Sequence, residues 1–226
     1  TEQAFGDQLH SYTIVDAIRD KTVLPFRVDY LNSFRVRDGI DNHDVEGIDT
    51  DSAYMNPQRI SAVVSYILEH FDQKTKRHAS FQYKERRVNG FNSLFATSSI
   101  KAARAYYQEF KRQQADLPEA RRLSVGIIYS YAPNTEAPGT GLLSEESMDP
   151  SALSQDDRAF LDEAIADYNQ QFGASFGTDA SGFEGYYTSL STALAERRID
   201  LVIVVDMFLT GFDSKSLNTL WVDKNL

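Results

Sequence analysis

Ile199–Asp213 reads I-D-L-V-I-V-V-D-M-F-L-T-G-F-D, and this stretch decides the fold. Leu201 to Val205 is an unbroken apolar run, mostly β-branched. Such a run suits a strand buried on both faces, as in a parallel sheet covered by helices. Asp206 ends it with a charge, and a loop carrying Thr210, Gly211 and Asp213 follows. In open α/β sheets, ligands bind beyond the carboxyl ends of the strands. A hydroxyl, a glycine and a carboxylate therefore stand where such a fold works. On spacing alone, an ordinary core strand and surface loop explain the same residues equally well.

Outward from this stretch the chain alternates. Thr219–Val222 reads as a short strand after the loop. Before it, Tyr187, Leu190 and Leu194 supply a helix ending near Arg197 and Arg198, and Gly173–Gly185 reads as a loose Gly/Ser-rich segment. Leu161, Ile165, Tyr168 and Phe172 make another helical stripe, opened by a capping box of Ser154 and Asp157. Leu123–Tyr131 is a buried-type strand. Asn56-Pro57 opens a helix with a clean apolar stripe of Ile60, Val63, Val64, Ile67, Leu68 and Phe71. Thr13–Asp20 reads as a short helix, and Val23–Tyr30 as a strand with Pro25 near its start. The alternation of strand and helix predicts an α/β fold with a parallel, doubly wound sheet.

Asn89–Ser99 (N-G-F-N-S-L-F-A-T-S-S) is the second informative stretch. A strand at about Ser93–Ala96 runs into Thr97-Ser98-Ser99, and Ile100, Ala103, Tyr107 and Phe110 then recur at helical spacing. Free N–H groups at the start of that helix, its dipole and the small hydroxyls make an anion site. Lys101 and Arg104 lie near the helix start, where cations oppose the dipole, and that conflict points to an anion nearby. Plain N-capping by Ser98 or Ser99 explains the same residues.

Composition bounds the function. The 226 residues fit one large domain or a domain plus a piece of another. The chain opens Thr1-Glu2-Gln3, with no signal peptide, and no apolar run approaches the roughly 20 residues a bilayer span needs. With no cysteine there are no disulfides or thiolate metal sites, which fits a reducing cytoplasm. Net charge is −10. Between Ala132 and Glu184 stand eleven acidic residues and one basic, Arg158, so that segment carries the whole excess. Screening over about 8–10 Å lets a distant site ignore it. Asp38–Asp51 is also acidic, but Asp41-Asn42-His43-Asp44-Val45 breaks the ligand alternation of a calcium loop. The four histidines show no metal-ligand spacing.

Asp200–Leu226 (D-L-V-I-V-V-D-M-F-L-T-G-F-D-S-K-S-L-N-T-L-W-V-D-K-N-L) resembles motif V and the following strand of the motor subunit of type I restriction–modification enzymes, which are superfamily 2 helicase-like translocases. Phe5–Asp20 (F-G-D-Q-L-H-S-Y-T-I-V-D-A-I-R-D) is similar to the tail of the first motor domain of that family, and Asn92–Tyr107 to its motif IV. The resemblance implies residues 1–22 as the end of a first motor domain and 23–226 as a second RecA-like motor domain, with the acidic segment at about 132–184 as an insertion. It implies that Thr97, Ser98, Ser99, Thr210 and Gly211 hold the phosphate backbone of DNA, and that Gly211 and Asp213 face ATP at a cleft between motor domains. It further implies double-stranded DNA and the modification and specificity subunits as partners, and ATP with Mg held mainly by a first motor domain. This chain has no G-x-x-x-x-G-K-[ST] loop and no D-E-x-D/H box, so no catalytic residue is assigned in it and the piece alone is expected to be inactive. Ser214-Lys215 departs from the small residue and proline common after the family's G-F-D. Another superfamily 2 motor, such as a type III restriction subunit or a repair helicase, fits similar motifs. A non-catalytic α/β anion-binding module at Thr97–Ser99 is the rival from a different class.

Overall fold

A computed structural model describes residues 11–31, 53–129, 154–205, 207–208, 212 and 214–224. By its internal contacts the chain divides into two units, Thr1–Asp41 and Asn42–Leu226.

In the first unit, α1 spans Ile14–Arg19. Thr13 caps it in a reciprocal box: the Asp16 backbone N–H donates to the Thr13 hydroxyl oxygen, and Thr13 N–H donates to the Asp16 carboxylate. The expected strand at Val23–Tyr30 does not form. Leu24 and Tyr30 are 85% and 93% exposed. No ladder partner lies alongside them among the described residues. Alternation shows which side chains share a face, but a strand also needs a neighbour to receive its backbone hydrogen bonds.

The second unit contains α2 (Pro57–Lys74), β1 (Ser80–Tyr83), β2 (Arg86–Asn89), β3 (Asn92–Thr97), α3 (Ile100–Gln114), β4 (Val125–Tyr129), α4 (Gln155–Phe172), α5 (Ala180–Ala195), β5 (Leu201–Val205) and β6 (Leu217–Asp223). β3 to β6 form one parallel sheet in the order β4-β5-β3-β6. Every residue of β5 is buried, as an all-apolar run in the middle of a covered sheet must be.

Register assigns the faces. Phe95, Ile203 and Ile127 lie in one row, and Phe95 packs edge-on against Tyr106 and Phe110 of α3. Leu94, Val202 and Gly126 form the next row and face the other way. There a Cβ on Gly126 would come within 2.9 Å of Leu190 of α5, so the missing side chain lets that helix approach. Helices thus cover both faces. α2 packs on α3, with Tyr66 edge-on to Trp221. α4 touches both layers, through Tyr107–Phe160 to α3 and Tyr168–Tyr186 to α5.

Two departures from the sequence expectation stand out. An antiparallel ribbon, β1–β2, precedes β3. Residues Ala180 to Gly185, read as loose, are helical: Asp179 caps α5 by accepting from the Gly182 N–H at 3.0 Å. A single good cap at the start carries a glycine-containing turn into a helix that packing then holds.

At the amino ends of the strands a polar lock closes the sheet. The Asp200 carboxylate accepts from Ser124 N–H (2.9 Å) and Ser124 Oγ (3.0 Å), and Arg197 Nη1 lies 2.8 Å from it.

Candidate nucleic-acid interface

β3 ends at Thr97, and Ser98-Ser99 turns the chain into α3. Ser99 is extended (φ −161°, ψ 162°), and its hydroxyl oxygen accepts from Ala102 N–H at 3.1 Å. That is the capping geometry. It leaves the Ser99 O–H proton free to donate, because accepting a bond uses a lone pair and not the hydrogen. Ser98 and Lys101 are exposed. With the orphan N–H groups of the first turn, this end of α3 presents donors, a positive dipole and a cation on one surface. Arg104 is half-buried, its guanidinium 5.4 Å from the centre of the Phe160 ring, so it leans on α4 instead of the helix start.

Thr97 differs from its neighbours. It is fully buried, and its hydroxyl donates to the Val204 carbonyl oxygen at 3.3 Å. That hydroxyl ties β3 to β5 and faces the sheet.

The other sequence-derived residues, Thr210, Gly211 and Asp213, lie outside the described residues, as does the acidic loop Asp38–Asp51. In the connection after β5, Met207, Phe208 and Phe212 pack on the core, and Phe208 stacks on Tyr187 of α5 with ring centres 5.3 Å apart. Phe208 has φ +59°, an uncommon conformation for a bulky residue. The connection leaves β5 at the same edge as Thr97, since Ala96 and Val204 are register partners.

Sequence reading missed the group beside Thr97. Asp223, register partner of Thr97, ends β6. Arg59 of α2 forms a bidentate ion pair with it, and the Tyr106 hydroxyl of α3 donates to Asp223 Oδ2 at 2.5 Å while accepting from Arg59 Nη1 at 3.1 Å. Burial pushes the Tyr106 phenol well above its ordinary range, and the hydrogen bond to Asp223 adds to this. The phenol is therefore a fixed donor. The Asp that closes T-L-W-V-D was the one signal in sequence; nothing local marks Arg59 or Tyr106 as its partners.

Among the described residues no group of three or more His, Asp and Glu is disposed to hold a metal ion, and no helix is long and apolar enough to cross a membrane.

The family described as type I restriction enzyme subunit R domain 3 matches residues 89–226. The chain is 36% identical over 230 residues to the endonuclease subunit of a type I restriction enzyme from Staphylococcus aureus, a match covering 100% of this chain and 22% of that protein. It is 38% identical over 230 residues to the corresponding subunit from Staphylococcus saprophyticus, again 22% of that protein. A Mycoplasma pneumoniae sequence described as the middle part of such a subunit is 38% identical over 106 residues, 46% of this chain and 82% of that sequence. The chain thus spans about a fifth of the length of the staphylococcal relatives.

Proposed function

Because the chain belongs to the type I restriction enzyme subunit R domain 3 family, we propose that it is the second motor domain of a restriction subunit and grips the backbone of double-stranded DNA at the Ser98–Ser99 end of α3. The observation that supports this most directly is the juxtaposition at that helix start. Ser98 and Lys101 are exposed beside the Ser99 cap, at the carboxyl edge of a parallel sheet. A translocase must hold DNA irrespective of sequence, and phosphates are the part of DNA that does not vary. Small hydroxyls, backbone N–H groups and a lysine suit phosphate oxygens.

In this reading Thr210 and Gly211 complete the grip, and Gly211 and Asp213 form this chain's side of an ATP cleft. A carboxylate such as Asp213 accepts from ribose hydroxyls and repels phosphate oxygens. In this reading ATP and Mg are held mainly by a first motor domain, and no step of the proposal runs through a metal held by this chain. ATP hydrolysis, DNA translocation and cleavage belong to the whole subunit, acting with modification and specificity subunits.

The test is duplex binding by the chain, followed by fluorescence anisotropy across a salt series. Salt-sensitive, sequence-independent binding that Ser98→Asp weakens supports the grip. Binding that ignores Ser98→Asp and Lys101→Glu removes it. In the full subunit, Thr210→Ala is expected to slow translocation more than it lowers stability; equal losses would give Thr210 a structural role only.

A further inference from the structure

From Lys74 to Arg87 the chain has six Lys or Arg and one acidic residue, Glu85, within a protein whose net charge is −10. These cations sit on the end of α2, the turn after it, and the β1–β2 ribbon. The end of α5 joins them. Arg197 Nε donates to the Gly90 carbonyl oxygen at 3.1 Å, Lys84 Nζ lies 3.2 Å from Glu196 Oε1, and Arg198 Nε lies 3.1 Å from Glu196 Oε2. One carboxylate thus serves cations from two elements. Lys84 above all, with Arg198 and Arg86 contributing, holds the Glu196 carboxyl below the usual range, and burial opposes this only in part. Lys76, Lys84, Arg86, Arg87 and Arg198 are all exposed.

The backbone sets where these cations stand. Among the described residues five non-glycine positions have positive φ, and three of them are cations of this patch: Lys76 (52°), Lys84 (53°) and Arg197 (57°). Glycine adopts this conformation without strain, and a long side chain does not. The turn at Lys84-Glu85 is a two-residue hairpin loop with positive φ at its first position, where glycine would be easiest. At each of these turns the geometry favours glycine and the sequence supplies a positive charge. Lys76 and Arg197 each stand just past the cap of a helix, as Lys21 does after α1, where a left-handed residue closes the last turn and a cation suits the helix dipole.

We propose that this basic face, at the amino ends of the parallel strands, is a second contact for the sugar–phosphate backbone of double-stranded DNA, carried by Lys76, Lys84, Arg86, Arg87 and Arg198. The proposal rests on the motor-domain reading above but uses a different surface, since Ser98–Ser99 lies at the carboxyl end of β3 and the ribbon enters β3 at its amino end. Duplex DNA fits the patch because its anions are regular and closely spaced, and because a two-stranded ribbon has the width of a major groove. A contact away from the cleft would keep hold of the duplex while the Ser98–Ser99 grip lets go and advances.

The test measures duplex affinity of the chain by anisotropy over a salt series, with thermal unfolding in parallel. The Lys76→Gly/Lys84→Gly double variant removes two charges and relieves two strained turns. It is expected to bind duplex roughly tenfold more weakly, with the slope of log affinity against log salt shallower by about 2, while its thermal midpoint stays or rises. Arg86→Gln/Arg87→Gln should weaken binding similarly, and either loss should add to that of Ser98→Asp, because the sites are distant. Unchanged affinity and slope in both double variants, with the wild-type chain binding DNA, would overturn this contact and leave the grip standing. No salt-sensitive duplex binding by the wild-type chain would overturn both. Variants that lose adhesion to anionic phospholipid vesicles yet bind duplex normally would also overturn it, as would a loss of affinity that tracks a fall in the thermal midpoint.

Discussion

Arg59, in the first turn of α2, and Asp223, the last residue of β6, form a bidentate ion pair across 164 residues of sequence, and the Tyr106 hydroxyl closes it. The side chains of Arg59 and Asp223 are 7% and 11% exposed. A cation in a helix's first turn opposes the dipole, and here an acid from a distant strand offsets that. The pair joins α2, α3 and β6 at the carboxyl edge of the sheet, beside Thr97. Removing one member strands a buried charge. Asp223→Ala is therefore expected to cost about 3–5 kcal/mol, and the double variant Arg59→Met/Asp223→Leu distinctly less. Urea unfolding of both variants checks this. A double variant as unstable as the single one would mean that the pair's geometry, and not charge compensation, holds the edge.

Ser99 separates capping from binding. Ser99→Ala loses the hydroxyl that receives the Ala102 N–H and is expected to cost about 1 kcal/mol. Ser99→Asp keeps an equally good cap and adds a negative charge where phosphate is proposed to sit. Stability close to wild type with duplex affinity lost is the expected outcome. Urea midpoints and anisotropy titrations on the same preparations read the two effects apart. Duplex affinity retained by Ser99→Asp would make Ser99 a cap and nothing more.

Acid stability has a local source in Glu109. Arg112 donates to its two carboxylate oxygens at 2.6 and 2.7 Å, and holds the Glu109 carboxyl at about 2; burial opposes this, and Gln113 and Ser61 assist. The folded value lies below the ordinary 4.5. The unfolded chain therefore takes up the proton first as pH falls. The stabilisation is complete above 4.5 and drains away as pH drops toward 2. Glu109→Gln should flatten the dependence of unfolding free energy on pH in that window and leave its shape near neutrality. A slope unchanged between pH 4.5 and 2 would assign acid unfolding to other carboxylates, with Asp16, Asp179 and Glu196 also held low.

Much of the fold was legible because hydrophobic period is a local property. Leu201–Val205 is a strand to the residue, α2 begins at Pro57 as the Asn56 cap required, and α3 starts at Ile100. The misreadings have separate causes. Val23–Tyr30 alternates but has no partner strand. The β1–β2 ribbon turns through Lys84-Glu85, which carries none of the usual turn residues. Of the site, the Thr97–Ser99 helix start was visible because strand, small hydroxyls and helix are consecutive. That Thr97 turns its hydroxyl inward follows from β5 lying beside β3, a fact of topology. The Arg59–Tyr106–Asp223 group joins three elements far apart in sequence, and no window contains it.

Gly90 and Gly173 make a matched pair. Both hold positive φ, 59° and 64°, so any side chain there meets similar backbone strain. Their surroundings differ. A Cβ on Gly173, at the end of α4, meets nothing within 4 Å. A Cβ on Gly90, where the ribbon passes into β3, would stand 2.5 Å from Arg77 Cα and 2.9 Å from the Thr75 carbonyl oxygen. These are backbone atoms and cannot swing aside as a side chain can. Gly173→Ala should thus cost only the strain, about 1–2 kcal/mol. Gly90→Ala should cost clearly more, because the turn after α2 must move, and the Arg197 hydrogen bond to the Gly90 carbonyl moves with it. The difference between the two unfolding free energies isolates the steric part from the conformational part. Equal costs would mean that the turn after α2 yields freely, which would also loosen the footing of the basic ribbon.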